Sequence, residues 1–367
     1  MQYLKTLLEA QKKINSSDLH LYVGHRPYLR GSDGGLYPVE KYDKLTEKDT
    51  EQIAKTILSS AQFSKFEKEK DFELSTPLEE VARFRINFYY EKDGIAIVFR
   101  MIRGDIATIE NLELPEIVSE LALKKSGLVL VAGPNGSGKS TTMAAMIDEI
   151  NEKRNANIIT IEDPIEFVHS SKKSVISQRE MGTNVANLEN AAKHLFRQDV
   201  DVVVIGEIRT FEGFSLTLDI AETGHLVIST IHAEDTSSTL TRIINIFPPE
   251  QQNMIRTKLS LSLRGIIAQK LIPKKDFSGR VVATEILLET RALKNRILKG
   301  GEADLLHVLE TSKEGGMHTF DDSLLKLYFD GKISEEYAAA SSRNDKEFLE
   351  RVKIIQEKNF KQTEETK

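Results

Sequence analysis

The sequence predicts an α/β protein in two parts: a small mixed α/β N-terminal domain and a larger domain built on a mainly parallel sheet. Three observations carry that prediction. From about residue 116, near-continuous apolar runs recur at Leu128–Ala132, Ile158–Ile161, Val202–Ile205 and Leu226–Ile231, separated by helix-length segments. Strands that are apolar on both faces suit a parallel sheet covered by helices. The N-terminal region alternates apolar and polar positions over short runs instead, as strands with one wet face do. Finally, 367 residues with 40% apolar content are too many for one modest core and enough for two.

Taken in order, Leu4, Leu7, Leu8 and Ile14 recur at helical spacing, so an amphipathic helix opens the chain. Leu19, Leu21 and Val23 then alternate as a half-buried strand does. Thr46 and Asp49 are spaced as a capping box before a helix carrying Ile53, Ile57, Leu58 and Ala61. Val81–Tyr90 and Ile95–Ile102 are β-rich runs joined across Lys92-Asp93-Gly94, which predicts a hairpin. On its first strand Phe84, Ile86 and Phe88 share one face while Arg83, Arg85 and Asn87 share the other. Arg100 and Arg103 close the returning strand. This arginine row reads either as a solvated face or as a surface that meets phosphate on a neighbouring subunit. Residues 1–103 form the first domain, and 104–115, from Gly104 to Pro115, a linker. Residues 116–345 form the second domain, with Arg280–Leu288 as a further strand, and 346–367 a charged tail whose last residues, KQTEETK, fray.

Composition narrows the function classes. Net charge is −6 with both signs mixed along the chain, which disfavours a dedicated nucleic-acid binder. The absence of cysteine excludes disulfides and thiolate metal sites and suits a reducing cytoplasm. The N-terminus lacks the apolar core of a signal peptide, and no run approaches the ~20 apolar residues that span a bilayer. Membrane association is therefore expected only through partners.

The sharpest motif is Gly133-Pro134-Asn135-Gly136-Ser137-Gly138-Lys139-Ser140, followed by Thr141, in the G-x-x-x-x-G-K-[ST] spacing. Glycines let successive amides curl around phosphate oxygens. Lys139 reaches the β- and γ-phosphates, and Ser140 offers a hydroxyl to Mg²⁺. The helix that follows aims its positive end at the same anion. An apolar strand precedes the motif and a helix-forming run follows it, as this chemistry requires. Mg-ATP is the expected ligand; no N-K-x-D string for guanine is present.

Such a loop needs carboxylates to hold Mg²⁺ and orient water. Ile158–Ile161 runs into Glu162-Asp163-Pro164-Ile165-Glu166, where Pro164 ends the strand and leaves Glu166 at its C-terminal edge. Val202–Ile205 runs into Gly206-Glu207, with glycine where Asp-Glu is common. His225 and His232 flank Leu226–Ile231. Either histidine alone reads as an ordinary packing residue. Together they suggest that His232 contacts the γ-phosphate and that His225 organises a carboxylate.

The strings GPNGSGKSTT, ITIEDPIEFVH, ISQRE, GEIR and AETGHLVISTIHAED, with SDLHL at Ser17–Leu21 and RFRINF at Arg83–Phe88, resemble the secretion and type IV pilus ATPases over nearly the whole chain. That resemblance implies a PAS-like N-terminal domain and a RecA-like P-loop ATPase domain in a hexameric ring. It implies that Gly133–Ser140 are the Walker A and Glu162–Glu166 the Asp box, with Glu166 polarising water. Gly206, Glu207 and Arg209 become the Walker B, with Glu207 on Mg²⁺, and His225 and His232 the His box. Arg83, Arg85 and Arg100 fall where the family presents arginines to a neighbour's nucleotide. Thr210 replaces the family's usual aspartate, so that side chain's contact is expected to be lost or reassigned. The implied work is pilus disassembly, and hence twitching motility, through an inner-membrane platform protein. Lack of cysteine excludes the four-cysteine metal insert common in extension motors, which favours retraction over pilus assembly or type II secretion. A nucleic-acid translocase is the more distant alternative.

Overall fold

The computed structural model describes residues 2–14, 16–31, 35–78, 81–102, 104–301, 305–311 and 314–365; Arg103 lies outside them. The chain divides into two compact units. One holds residues 1–105 together with Ile165–Val168, and the other holds Ile106–Pro164 and 169–367.

The first unit runs α1 (Gln2–Lys13), β1 (Asp18–Leu21), β2 (Tyr28–Arg30), β3 (Leu36–Pro38), α2 (Glu47–Ile57), α3 (Ser60–Glu69), β4 (Asp71–Leu78), β5 (Ala82–Glu91) and β6 (Gly94–Ile102). Its strands form a six-stranded sheet in the order β3-β2-β1-β6-β5-β4. Leu4, Leu7 and Leu8 form the buried face of α1, but Ile14 lies beyond the helix end and is 62% exposed. The capping box is present: Thr46 Oγ1 accepts from Asp49 N, and the Asp49 carboxylate accepts from Thr46 N. The helix it starts ends at Ile57, so Ala61 falls in α3. All of β1 is buried, not half of it, because the strand is central and its polar face is occupied: Asp18 pairs with Arg100, and His20 Nδ1 lies 3.1 Å from the Tyr22 hydroxyl. The hairpin forms with Glu91 opposite Gly94, and Phe84, Ile86 and Phe88 are fully buried.

The second unit runs α4 (Ile117–Ala122), β7 (Gly127–Ala132), α5 (Lys139–Lys153), β8 (Asn157–Glu162), β9 (Val175–Glu180), α6 (Leu188–Leu195), β10 (Val202–Glu207), α7 (Phe211–Glu222), β11 (Leu226–Ile231), α8 (Thr236–Ile246), α9 (Pro249–Ser262), β12 (Leu263–Pro273) and β13 (Arg280–Leu288). Helices α10 (Arg291–Leu298), α11 (Leu306–Thr311), α12 (Phe320–Phe329), α13 (Glu335–Ser341) and α14 (Asp345–Glu365) complete it. Seven strands are ordered β13-β12-β7-β11-β10-β8-β9, parallel except for the β12–β13 pair. Alternation explains the near-continuous apolar runs. Leu128, Leu130 and Ala132 enter the core on one face of the sheet, and Val129 and Val131 enter the core on the other.

Two segments differ from the sequence expectation. Residues 104–115 are not a free linker, because Ile109 and Leu114 are buried in the core beside α4 and α5. Residues 346–358 are more than a charged tail. Phe348 and Val352, four apart on α14, are 0% and 1% exposed in the core under α12 and α13. Among the described residues, no helix is long and apolar enough to cross a membrane.

Candidate active site

Adjacent parallel strands β7, β11 and β10 each deliver one part of the site at their C-terminal ends, where open α/β sheets place their ligands. After β7 the backbone turns at Gly133, with φ 158°; a Cβ there would sit 2.3 Å from Ser137 Oγ and 2.7 Å from the Gln269 carbonyl oxygen. Gly138, at φ 88°, is the N-cap of α5 and supplies no side-chain cap. The first turn of a helix has no carbonyls behind it for its amides. Here the first bond of α5 is Thr142 N to Gly138 O, at 3.0 Å. The amides of Lys139, Ser140 and Thr141 are thus presented at the positive end of the helix, a cradle suited to phosphate.

Lys139 is buried, and its ammonium donates to the carbonyls of Gly133 and Pro134, each at 2.9 Å. It also lies 3.3 Å from His232 Nδ1. An ammonium only donates, so Nδ1 accepts and the ring proton resides on Nε2. That nitrogen stands 2.9 Å from Glu207 Oε1. Lys139, His232 and Glu207 therefore form one hydrogen-bonded chain across three strand tips. Burial pushes the Glu207 carboxyl up, but the hydrogen bond from Arg209 at 2.8 Å, together with His232, outweighs it and holds the group below the usual carboxylate range. Glu207 is ionised at neutral pH.

The glycine before Glu207 sits close to the neighbouring strand. A Cβ on Gly206 would lie 3.3 Å from Glu162 Cα and 3.6 Å from the Ile161 carbonyl oxygen, so a larger side chain there would fit only tightly against the neighbouring strand β8. Glu162 itself is buried and accepts from Thr160 Oγ1 at 2.6 Å and Gln178 Nε2 at 3.1 Å. Thr210 caps α7, its hydroxyl accepting from Gly213 N at 3.2 Å, so the contact at that position is reassigned to helix capping.

His225 does not join the group. It precedes β11, at the opposite end of that strand from His232, roughly 23 Å away for seven residues at ~3.3 Å each. Its Nδ1 lies 3.0 Å from Thr223 Oγ1 and its ring packs edge-on against Phe196. It organises no carboxylate at the phosphate loop. Glu166 is grouped differently too. It lies in Ile165–Val168, which belongs with the first unit, and its half-exposed carboxylate stands 4.0 Å from Arg85 Nη2.

The arginine row also has partners of its own. Arg85 and Arg100 face each other across β5 and β6, an arrangement that repels unless countered. Glu73 lies 3.3 Å from Arg85, and the buried Asp18 lies 2.8 Å from Arg100. Burial raises the Asp18 carboxyl, but hydrogen bonds from Arg100 and Ser17 outweigh it and leave it lowered. Arg83 Nε donates to Ser75 Oγ at 3.0 Å. Arg100 keeps most of its side chain, 62%, exposed.

No group of three or more histidines or carboxylates is gathered to hold a metal among the described residues. Mg²⁺ does not need such a cage; it keeps waters and takes phosphate oxygens with one or two protein oxygens. The Ser140 hydroxyl in the first turn of α5 and the ionised Glu207 are donors of that kind. One residue of the site escaped the sequence reading. Gln269 on β12 donates its amide to the Ser137 carbonyl, and its only signal is a lone amide inside the apolar run GIIAQKLI.

Residues 67–316 match the family described as Type II/IV secretion system protein. The chain is 39% identical over 344 residues to the type IV pilus retraction ATPase PilT of Pseudomonas aeruginosa, covering 93% of this chain and 98% of that protein. It is 40% identical to a twitching motility protein of Neisseria gonorrhoeae, over 82% of this chain and 80% of that one. A crystal structure of the pilus retraction motor PilT with bound ADP superposes with a TM-score of 0.86 at 38% identity, covering 93% of this chain and 97% of that chain. Matched over nearly its whole length by nucleotide-using relatives, this chain is an ATPase that belongs to the type II/IV secretion system family.

Proposed function

We propose that this ATPase is the motor of type IV pilus retraction, and so of twitching motility, working as a homo-hexamer against an inner-membrane platform protein from the cytoplasmic side. The observation that carries the reading is the Lys139–His232–Glu207 chain beside an uncapped helix N-terminus. Relatives of nearly the same length with this work support the direction of force.

In this reading the amides and glycines of Gly133–Thr141 take the triphosphate. Lys139 leaves the carbonyls of Gly133 and Pro134 for the β- and γ-phosphates. Ser140 and Glu207 hold Mg²⁺, which supplies charge neutralisation on the phosphates. His232, already bonded to both Lys139 and Glu207, keeps those two groups aligned. Glu166 polarises the attacking water. Arg83, Arg85 and Arg100 of an adjoining subunit neutralise charge developing on the γ-phosphate, a contribution worth about 10³ to 10⁵ in rate where an arginine arrives in trans.

Deleting the gene tests the function: excess, unretracted fibres support a retraction motor, and bald cells show an assembly motor instead. Stimulation of the purified ATPase by DNA would favour a translocase; the acidic balance of the chain predicts none. Within the site, Glu166→Gln should leave ATP binding intact and nearly abolish phosphate release, whereas Lys139→Ala should remove both. Turnover surviving in Glu166→Gln would remove that residue from the reaction.

A further inference from the structure

Strand β12 runs parallel to β7 with Ala268 level with Ala132, so the next residue, Gln269, stands beside the start of the phosphate loop. Its side chain is 1% exposed. Nε2 donates to the Ser137 carbonyl at 2.6 Å. The same nitrogen lies 3.2 Å from where a Cβ on Gly138 would be, and the Gln269 carbonyl oxygen lies 2.7 Å from a Cβ on Gly133. One residue of a neighbouring strand thus bonds a carbonyl of the loop and fills the space that a side chain on its first or last glycine would need.

This amide is out of place by packing criteria alone. Its strand neighbours Ile266, Ile267, Ala268 and Ile272 are buried apolar residues. Gln269 Oε1 is itself buried with no hydrogen-bond partner, as is Ser137 Oγ. An unpaired buried amide oxygen is costly, so an apolar side chain would suit the core better. What an apolar side chain lacks is a donor for Ser137.

The geometry of a peptide unit gives that donor a purpose. In a trans peptide the C=O and the following N–H point in opposite directions. Holding the Ser137 carbonyl toward β12 therefore turns the Gly138 N–H away from β12, toward the concave side of the loop. We propose that Gln269 is a positioning residue for nucleotide binding: it fixes the Ser137–Gly138 peptide so that the Gly138 amide is aimed at the bound phosphates before they arrive. The proposal rests on ATP binding at this loop, which Lys139→Ala tests separately.

The experiment uses the full-length protein and measures ATP turnover, binding of a fluorescent ADP analogue, and thermal midpoint. Gln269→Met keeps the size, removes the donor and also removes the unpaired oxygen. Its KM for ATP and Kd for the ADP analogue should rise about tenfold or more while kcat changes less and the thermal midpoint does not fall. Gln269→Glu adds a readout that a packing role would not move. Ionised, its carboxylate faces a carbonyl; protonated, it donates again. Its affinity for the analogue should be poor at about pH 8 and recover, relative to the parent protein, toward about pH 5. Nucleotide affinity of Gln269→Met within twofold of the parent, or a lowered midpoint with unchanged KM, overturns the proposal. Should Gln269→Met fail to fold, a Gln269→Glu pH profile parallel to the parent's overturns it equally.

Discussion

His232 links a cation to an anion through one neutral ring, accepting from Lys139 and donating to Glu207. Substituting leucine removes both bonds but leaves the phosphate loop, so nucleotide should still bind within a few-fold while turnover falls about a hundredfold, the scale of a lost aligning group. Glutamine carries both a donor and an acceptor, and His232→Gln should recover part of the loss; phosphate release with parallel nucleotide binding measures both. A second histidine governs acid behaviour. Burial pushes His169 down to about 4. Above about pH 6.5 it is neutral folded and unfolded and contributes no pH dependence. As pH falls from there toward 4, the unfolded chain gains a proton that the folded chain refuses, so stability is lost in that window, on the order of 2–3 kcal/mol. Thermal midpoints between pH 7 and pH 4 should therefore fall less steeply for His169→Asn. The positions of Lys139, Glu207 and His232 at strand tips follow from the sequence, because each lies just after an apolar run or in the loop spacing. His225 flanks the same apolar run as His232, but a strand of six residues holds its two ends far apart, so the pair does not share one site.

At the scale of elements, local signals with a mechanism translated well and global ones did not. The Thr46–Asp49 capping box and the Lys92-Asp93-Gly94 turn are set by neighbours in sequence, and both form. Strand β9 was missed because it is an edge strand with exposed Val175 and polar Ser177 and Gln178, so it has no apolar run to see. Strand β12 was missed because α9 passes into it without a break at Ser262–Leu263, and periodicity cannot divide such a run. The last helix shows the same gap between composition and packing. Its charge suggested a tail, yet Phe348 is fully buried whereas Ile354, six residues on, is 52% exposed. Phe348→Ala should cost about 3–5 kcal/mol, and Ile354→Ala less than about 0.5 kcal/mol. Urea unfolding followed by circular dichroism distinguishes them. Equal, small losses would mean that α14 is not part of the core.

At the scale of the molecule, the proposed ring turns on whether a complete site needs two chains. Lys139, His232 and Glu207 all come from the second unit. Arg83, Arg85 and Arg100 come from the first, where Ser75, Glu73 and Asp18 hold them in a row and Arg100 keeps most of its surface free. An arginine committed only to stabilising its own unit would matter equally in every copy, and mixing damaged copies would restore nothing. An arginine donated to a neighbour behaves otherwise. In a ring assembled from Arg100→Ala and Glu166→Gln subunits, some interfaces combine a subunit that keeps Glu166 and its phosphate loop with a neighbour that keeps Arg100. Such mixtures should hydrolyse ATP faster than either variant alone, with a maximum near equal proportions. Titrating one variant into the other at constant total protein, after confirming by mass photometry that mixed rings form, measures this directly. A flat titration across confirmed mixed rings would place Arg100 outside the neighbour's reaction and return the arginine row to a role within its own sheet.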